Sequence, residues 1–191
     1  MCHEFLSDAS FFQLLTRIDH DLAEQARAHG CGHCGGRLYR ANYPRKPRGA
    51  SRPLLGPEYE WRLSFCCAEE GCRRRMTPPS VRFLGRRVYL GVIVLLVSAL
   101  ANGISAQRGQ RLSEQFGVAR RTLYRWRRWW REAFVRCPFW RAARGQFIPA
   151  VASARLPQSL HERFAGQSPK QSLVVLLRFL SPLTTTSCRI V

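Results

Sequence analysis

Carboxylates are scarce in this chain. Twelve Asp and Glu stand against 31 Lys and Arg, giving a formal net charge of +19 and a sequence pI of about 11.1. All three Asp (Asp8, Asp19 and Asp21) precede residue 22, and beyond residue 70 only Glu114, Glu132 and Glu162 remain. That distribution excludes the clustered Asp and Glu that hold two divalent ions in DNA-cutting enzymes. No Ser/His/Asp set, Gly-rich phosphate loop or His-x-Glu deaminase motif takes their place, so the expectation is a protein that is not an enzyme by itself. Lysine is nearly absent too, with Lys46 and Lys170 against 29 Arg. Arginine suits bidentate contacts to phosphate and guanine, although a GC-rich genome would enrich it as well. Long apolar runs are missing: the longest, over 88–101, has 14 residues, short of the roughly 20 that span a bilayer. The opening residues carry Glu4 and Asp8 where a signal peptide has a basic region, so the expected setting is cytoplasmic.

What is present is uneven. Residues 1–29 carry a net charge of −3, residues 30–85 of +7, residues 86–144 of +11 and residues 145–191 of +4. In the first segment Phe5, Phe12, Leu15, Ile18, Leu22 and Ala26 recur at helical spacing, with Ser7 or Asp8 as cap and Gly30 as stop. Its acidic outer face suits packing or self-association better than a phosphate backbone. In the last segment 157–164 and 169–180 read as short helices, the second capped by Ser168 with Pro169 at its first position.

Eight Cys in a reducing compartment point to metal or redox chemistry. Cys31-x2-Cys34 and Cys67-x4-Cys72 are two short-spaced pairs in Gly-containing turns, the layout of a four-thiolate zinc site. One structural Zn2+ per chain is expected, because four thiolates leave no open position for catalysis. A possible short strand over 37–41 follows the first pair. Tyr59, Trp61, Leu63 and Phe65 alternate with polar residues as a half-buried strand would, and this parity favours Cys67 over Cys66 as the ligand. Residues 44–53 read as a loop that is either mobile or able to reach a minor groove. The other reading of these cysteines is a set of buried thiols or a redox pair; His29 and His33 are expected in solvent, and Cys2, Cys137 and Cys188 as ordinary small residues.

Residues 110–128 carry a helix-turn-helix pattern: Leu112 and Phe116 on one helix, Gly117 at the turn, Val118 as plug, Leu123 and Trp126 on the second helix. A buried helix over 88–102 and a third helix over 120–134 complete a three-helix version. Arg120, Arg121, Tyr124, Arg125 and Arg128 then line or flank the outer face, with Thr122, Arg127 and Arg131 placed for phosphates. Ala119 stands where Ser or Thr ordinarily caps the recognition helix. Trp126, Trp129 and Trp130 read as core, and Pro138 as a break.

Together, Cys31-Gly32-His33-Cys34-Gly35-Gly36, the aromatic strand, Phe65-Cys66-Cys67, Cys72-Arg73-Arg74-Arg75-Met76-Thr77 and the run 112–126 resemble the zinc-ribbon and helix-turn-helix front end of bacterial insertion-sequence transposases and transposon-associated accessory proteins. The resemblance implies recognition of element ends, with Cys31, Cys34, Cys67 and Cys72 at the zinc-ligand positions. The expected fold is mainly α with a small β zinc ribbon: an N-terminal amphipathic helix (1–29), the ribbon (30–83), a helix-turn-helix domain (84–136) and a C-terminal helical tail (137–191). The expected partner is double-stranded DNA, with a transposase or a second copy as further candidates, and no membrane or small-molecule substrate. The competing readings are an RNA or single-strand binder and a protein adaptor for a transposase.

Overall fold

A computed structural model describes residues 4–50, 52–84, 89–100, 104–164, 166 and 168–185. Cys2, Cys188, the start and end of the 88–102 run and the tail beyond residue 185 lie outside the described residues. The architecture is mainly helical with a small amount of sheet.

Helix α1 (Ala9–Ala28) starts where the Asp8 carboxylate accepts the Ser10 N–H at 2.8 Å, satisfying a donor that the first turn would leave orphaned. It stops before Gly30, whose φ of 77° reverses the chain. Phe12, Leu15 and Ile18 are buried along it, joined by Phe11 and Ala23. Asp19 is buried as well, which corrects the expectation of a wholly outward acidic set. Its carboxylate accepts the Ser80 hydroxyl (2.6 Å), the Val81 N–H (2.6 Å) and Arg82 Nε (2.7 Å).

The strands are short. β1 (Leu38–Arg40) is followed by β2 (Tyr43–Pro44), the helical turn α2 (Arg52–Leu55), β3 (Trp61–Arg62), β4 (Phe65–Cys67) and β5 (Arg75–Met76). β4 lies between β1 and β5 in an antiparallel sheet, and β2 pairs with β3. The alternating strand expected from Tyr59 to Phe65 is broken. Residues Pro57–Glu60 form a 3-10 turn entered through Gly56 at φ 73°. Trp61 points out, 49% exposed, while Arg62 and Ser64 are buried. Arg82 donates to the Glu58 and Trp61 carbonyls and holds this turn against the core. Inside, Arg62 donates from Nη2 to the Pro78 carbonyl while its Nη1 is buried without a partner among the described residues, and the Ser64 hydroxyl donates to the Met76 carbonyl.

Residues 44–53 are not a free loop. The Arg48 carbonyl accepts the Leu90 N–H at 3.1 Å, and Gly49, at φ 115°, lies so close that a Cβ would meet the Ile93 side chain at 3.0 Å.

α3 (Gly91–Ser98), α4 (Ala106–Phe116) and α5 (Arg120–Glu132) follow. α4 begins earlier than its apolar residues suggested, because Ser105 caps it by accepting the Arg108 N–H at 3.2 Å. Gly117 takes left-handed backbone (φ 59°, ψ 34°) and joins α4 to α5. Leu112, Phe116, Val118, Leu123 and Trp126 are buried around this junction. Trp129 and Trp130 are also core, stacked edgewise near Phe134. Pro138 starts a helix instead of only breaking one: in α6 (Pro138–Ala143) the Cys137 sulfur accepts the Trp140 N–H. Proline is tolerated there because a first-turn position needs no N–H. α7 (Gln158–Arg163) and α8 (Pro169–Leu180) complete the chain, α8 capped by Ser168 as expected.

One apolar cluster runs from α1 through α3 and α5 to α8. A second, small cluster holds Ala23, Cys31, Leu38, Leu63, Phe65 and Cys67. Among the described residues no helix is long and apolar enough to cross a membrane.

Candidate functional site

The four cysteines singled out by spacing converge. Cys31, Cys34, Cys67 and Cys72 place their sulfurs within 4.8 Å of one another. Cys31 and Cys72 are 3.8 Å apart, and Cys34 and Cys67 are 3.5 Å apart. Four thiolates at tetrahedral positions roughly 2.3 Å from one ion would stand about 3.8 Å apart, so the set fits a metal ion.

Local backbone chemistry explains the convergence. In the first turn Cys31 exchanges bonds with Gly35 and Gly36, its N–H donating to the Gly36 carbonyl at 2.8 Å and its carbonyl accepting the Gly35 N–H at 2.7 Å. Gly30 must be glycine: a Cβ would sit 2.7 Å from the Gly35 oxygen. In the second turn the Glu69 carbonyl accepts the N–H groups of Cys72 and Arg73, with Arg73 in left-handed backbone at φ 42°. The ladder places Leu38 opposite Cys67 and Tyr39 opposite Cys66. Cys67 therefore shares the inner face, while the Cys66 thiol turns to the Arg73 carbonyl at 3.4 Å. The choice of Cys67 by parity agrees with this placement, although Trp61, one of the residues used for it, points out. His29 and His33 are exposed and stand outside the group.

Electrostatics sets Cys31 and Cys67 apart. Backbone N–H groups of His33 and Cys34 aimed at the Cys31 sulfur lower its pKa to about 6. Burial pushes the Cys67 thiol up to about 12. Sulfurs this close cannot all be anionic unless a cation lies among them.

The second constellation is α5. Its inner face buries Leu123, Trp126, Trp129 and Trp130. Arg120, Arg121, Tyr124 and Arg128 are exposed, and Arg125 is half-buried. Arg121, Tyr124, Arg125 and Arg128 line one shallow depression. The Tyr124 hydroxyl donates to the Ile104 carbonyl at 3.2 Å, which fixes its ring over the start of α4. Arg128 faces Glu132 at 3.9 Å; among the described residues no carboxylate lies within ion-pair distance of Arg120 or Arg121.

Two residues differ from expectation. Thr122 is buried, only 4% exposed, because it lies on the core side of the first turn. Arg127 is half-buried and donates to the Leu100 carbonyl at 2.9 Å, so its guanidinium is held by its own fold. Arg131, by contrast, is exposed. The tie between Arg127 and Leu100 had no signal in the sequence, since both ends lie in helix-forming runs of opposite character.

Comparison with protein-family models, with curated proteins and with solved structures found no match for this chain.

Proposed function

We propose that the protein is a sequence-preferring binder of double-stranded DNA that lays α5 in the major groove and uses a four-cysteine zinc centre as a structural pin. The observation that carries this reading is the division of α5: its tryptophan face is sealed in the core, while Arg120, Arg121, Tyr124 and Arg128 are exposed on the other, Tyr124 tied by its hydroxyl to Ile104 and Arg128 facing Glu132. A helix anchored that way can enter a groove without surrendering any of its own packing. Six Arg and one Glu in thirteen residues supply the field that draws it to phosphates. Arg120 and Arg121, at the N-terminal end, are the candidates for guanine edges; of the three residues expected at phosphates, Arg131 remains the candidate.

Zinc suits the all-sulfur set, which prefers a soft, tetrahedral ion, and four protein ligands leave it a structural role. The carboxylates support a binding role without catalysis: Asp8 caps α1, and Asp19 is consumed by Arg82. By resemblance, the role we adopt is that of a DNA-binding accessory factor from a mobile element.

The test is selection of a preferred duplex followed by anisotropy titrations on selected and random duplex. Arg121→Ala should cost roughly five- to a hundredfold on the selected site and little on random duplex, the loss of one bidentate base contact. Arg131→Ala should weaken both alike and flatten the salt dependence. Equal losses for both variants on both duplexes would reject the reading.

A further inference from the structure

The β1–β4–β5 sheet has a second face, opposite the one that carries Leu38 and Cys67. On it Tyr39, Cys66 and Arg75 stand in register across the three strands. Planar groups extend this row at both ends. The Arg37 guanidinium lies 5.6 Å from the centre of the Tyr39 ring; Arg75 and Arg45 lie 5.5 Å and 4.8 Å from that of Tyr43. Arg75 is held by the Ala41 carbonyl at 3.1 Å, and Arg45 by the Tyr43 hydroxyl at 3.2 Å. Tyr39 is 52% exposed.

Two neighbouring arginines are ion-paired. Arg40 meets Glu24 at 2.7 Å and Arg73 meets Glu70 at 3.9 Å. Among the described residues no carboxylate comes within ion-pair reach of Arg37, Arg45 or Arg75. A cation over a ring is attracted weakly at an exposed site and keeps its full charge. The face therefore offers three unneutralised guanidinium groups interleaved with two rings.

A partner that fits must be anionic and must present flat apolar faces. Stacked bases in a duplex hide theirs, and an acidic peptide has charge without them. We propose that this sheet face binds single-stranded DNA, with unpaired bases stacking on Tyr39 and on the guanidinium planes and phosphates held by Arg37, Arg45 and Arg75. The choice of DNA over RNA rests on the proposed function; the stacking geometry does not. The protein would then hold duplex on α5 and an unpaired strand on the ribbon.

Anisotropy with the full, metal-loaded chain and a labelled oligo(dT), beside the preferred duplex, tests this. Tyr39→Ala should weaken oligo(dT) binding about tenfold and Tyr39→Phe by less than about twofold, since phenylalanine keeps the stacking surface. Both should leave duplex affinity and the circular dichroism spectrum unchanged. Arg75→Ala should reduce the salt slope on oligo(dT) by about 0.7. Wild-type oligo(dT) affinity for Tyr39→Ala, or equal damage from both Tyr39 variants, overturns the proposal, as does oligo(rU) outcompeting oligo(dT). Arg121→Ala in the same assay should weaken only the duplex; if it does not, the major-groove reading fails while the oligo(dT) result is judged separately.

Discussion

Asp19 and Arg82 form a fully buried ion pair, with side chains 0% and 1% exposed, and each side-chain nitrogen and oxygen of both has a hydrogen-bond partner. Through them α1, the turn before β3 and the segment leading to α3 are fastened at one point. A buried pair of this kind adds little over an apolar substitute, yet removing one member strands the other charge in the core. Asp19→Ala should therefore lower unfolding free energy by about 3–5 kcal/mol in urea titrations. The double variant Asp19→Ala with Arg82→Leu should lose markedly less than the sum of the single losses. A loss below about 1 kcal/mol for Asp19→Ala would mean that Arg82 finds water, and that the pair is not closed in solution. None of this was legible in the sequence: periodicity assigns Asp19 to a polar face, and nothing local marks a partner 63 residues away.

At the scale of elements, legibility followed how local the determining physics is. α1 and α8 could be read because an apolar stripe, a cap and a stop lie within one helix length, whereas α4 and α5 were legible from their stripes and the Gly117 turn, the Ser105 cap going unread. The four-cysteine cluster could be read because glycine turns and thiolate spacing carry it. The strand expected from Tyr59 starts late because Gly56 opens a 3-10 turn over Pro57–Glu60 that Arg82, 24 residues on from Glu58, holds to the core, and the loop over 44–53 is not free because Gly49 packs on Ile93. α5 shows a local rule left unmet, since Ala119 at its N-cap makes no side-chain bond to the first turn. Ala119→Ser should stabilise the fold by about 1 kcal/mol in denaturant titrations, with preferred-duplex affinity unchanged. Unchanged or reduced stability would mean that the orphan N–H groups of α5 already have partners in solution.

Across the whole molecule, the two apolar clusters differ in what sustains them. The large one gathers helices from both ends of the chain, whereas the small one contains two of the cysteines and little else with which to hold a sheet of two- and three-residue strands. A bound ion supplies the missing free energy in such small units. Stripping the metal with a strong chelator should then loosen residues 31–41 and 63–76 while the helical body, with Leu55 and Tyr59 in its core, persists. Amide exchange should accelerate in β1, β4 and β5 and stay slow in α3 and α5, with far-ultraviolet circular dichroism nearly unchanged. Native mass spectrometry should find one zinc per chain before chelation; Cys67→Ser should abolish it and reproduce the loosening, whereas Cys66→Ser should do neither. Cooperative loss of all helical signal on chelation would show instead that the Asp19–Arg82 clamp makes both clusters one folding unit, in which removing the ion removes the α5 surface as well.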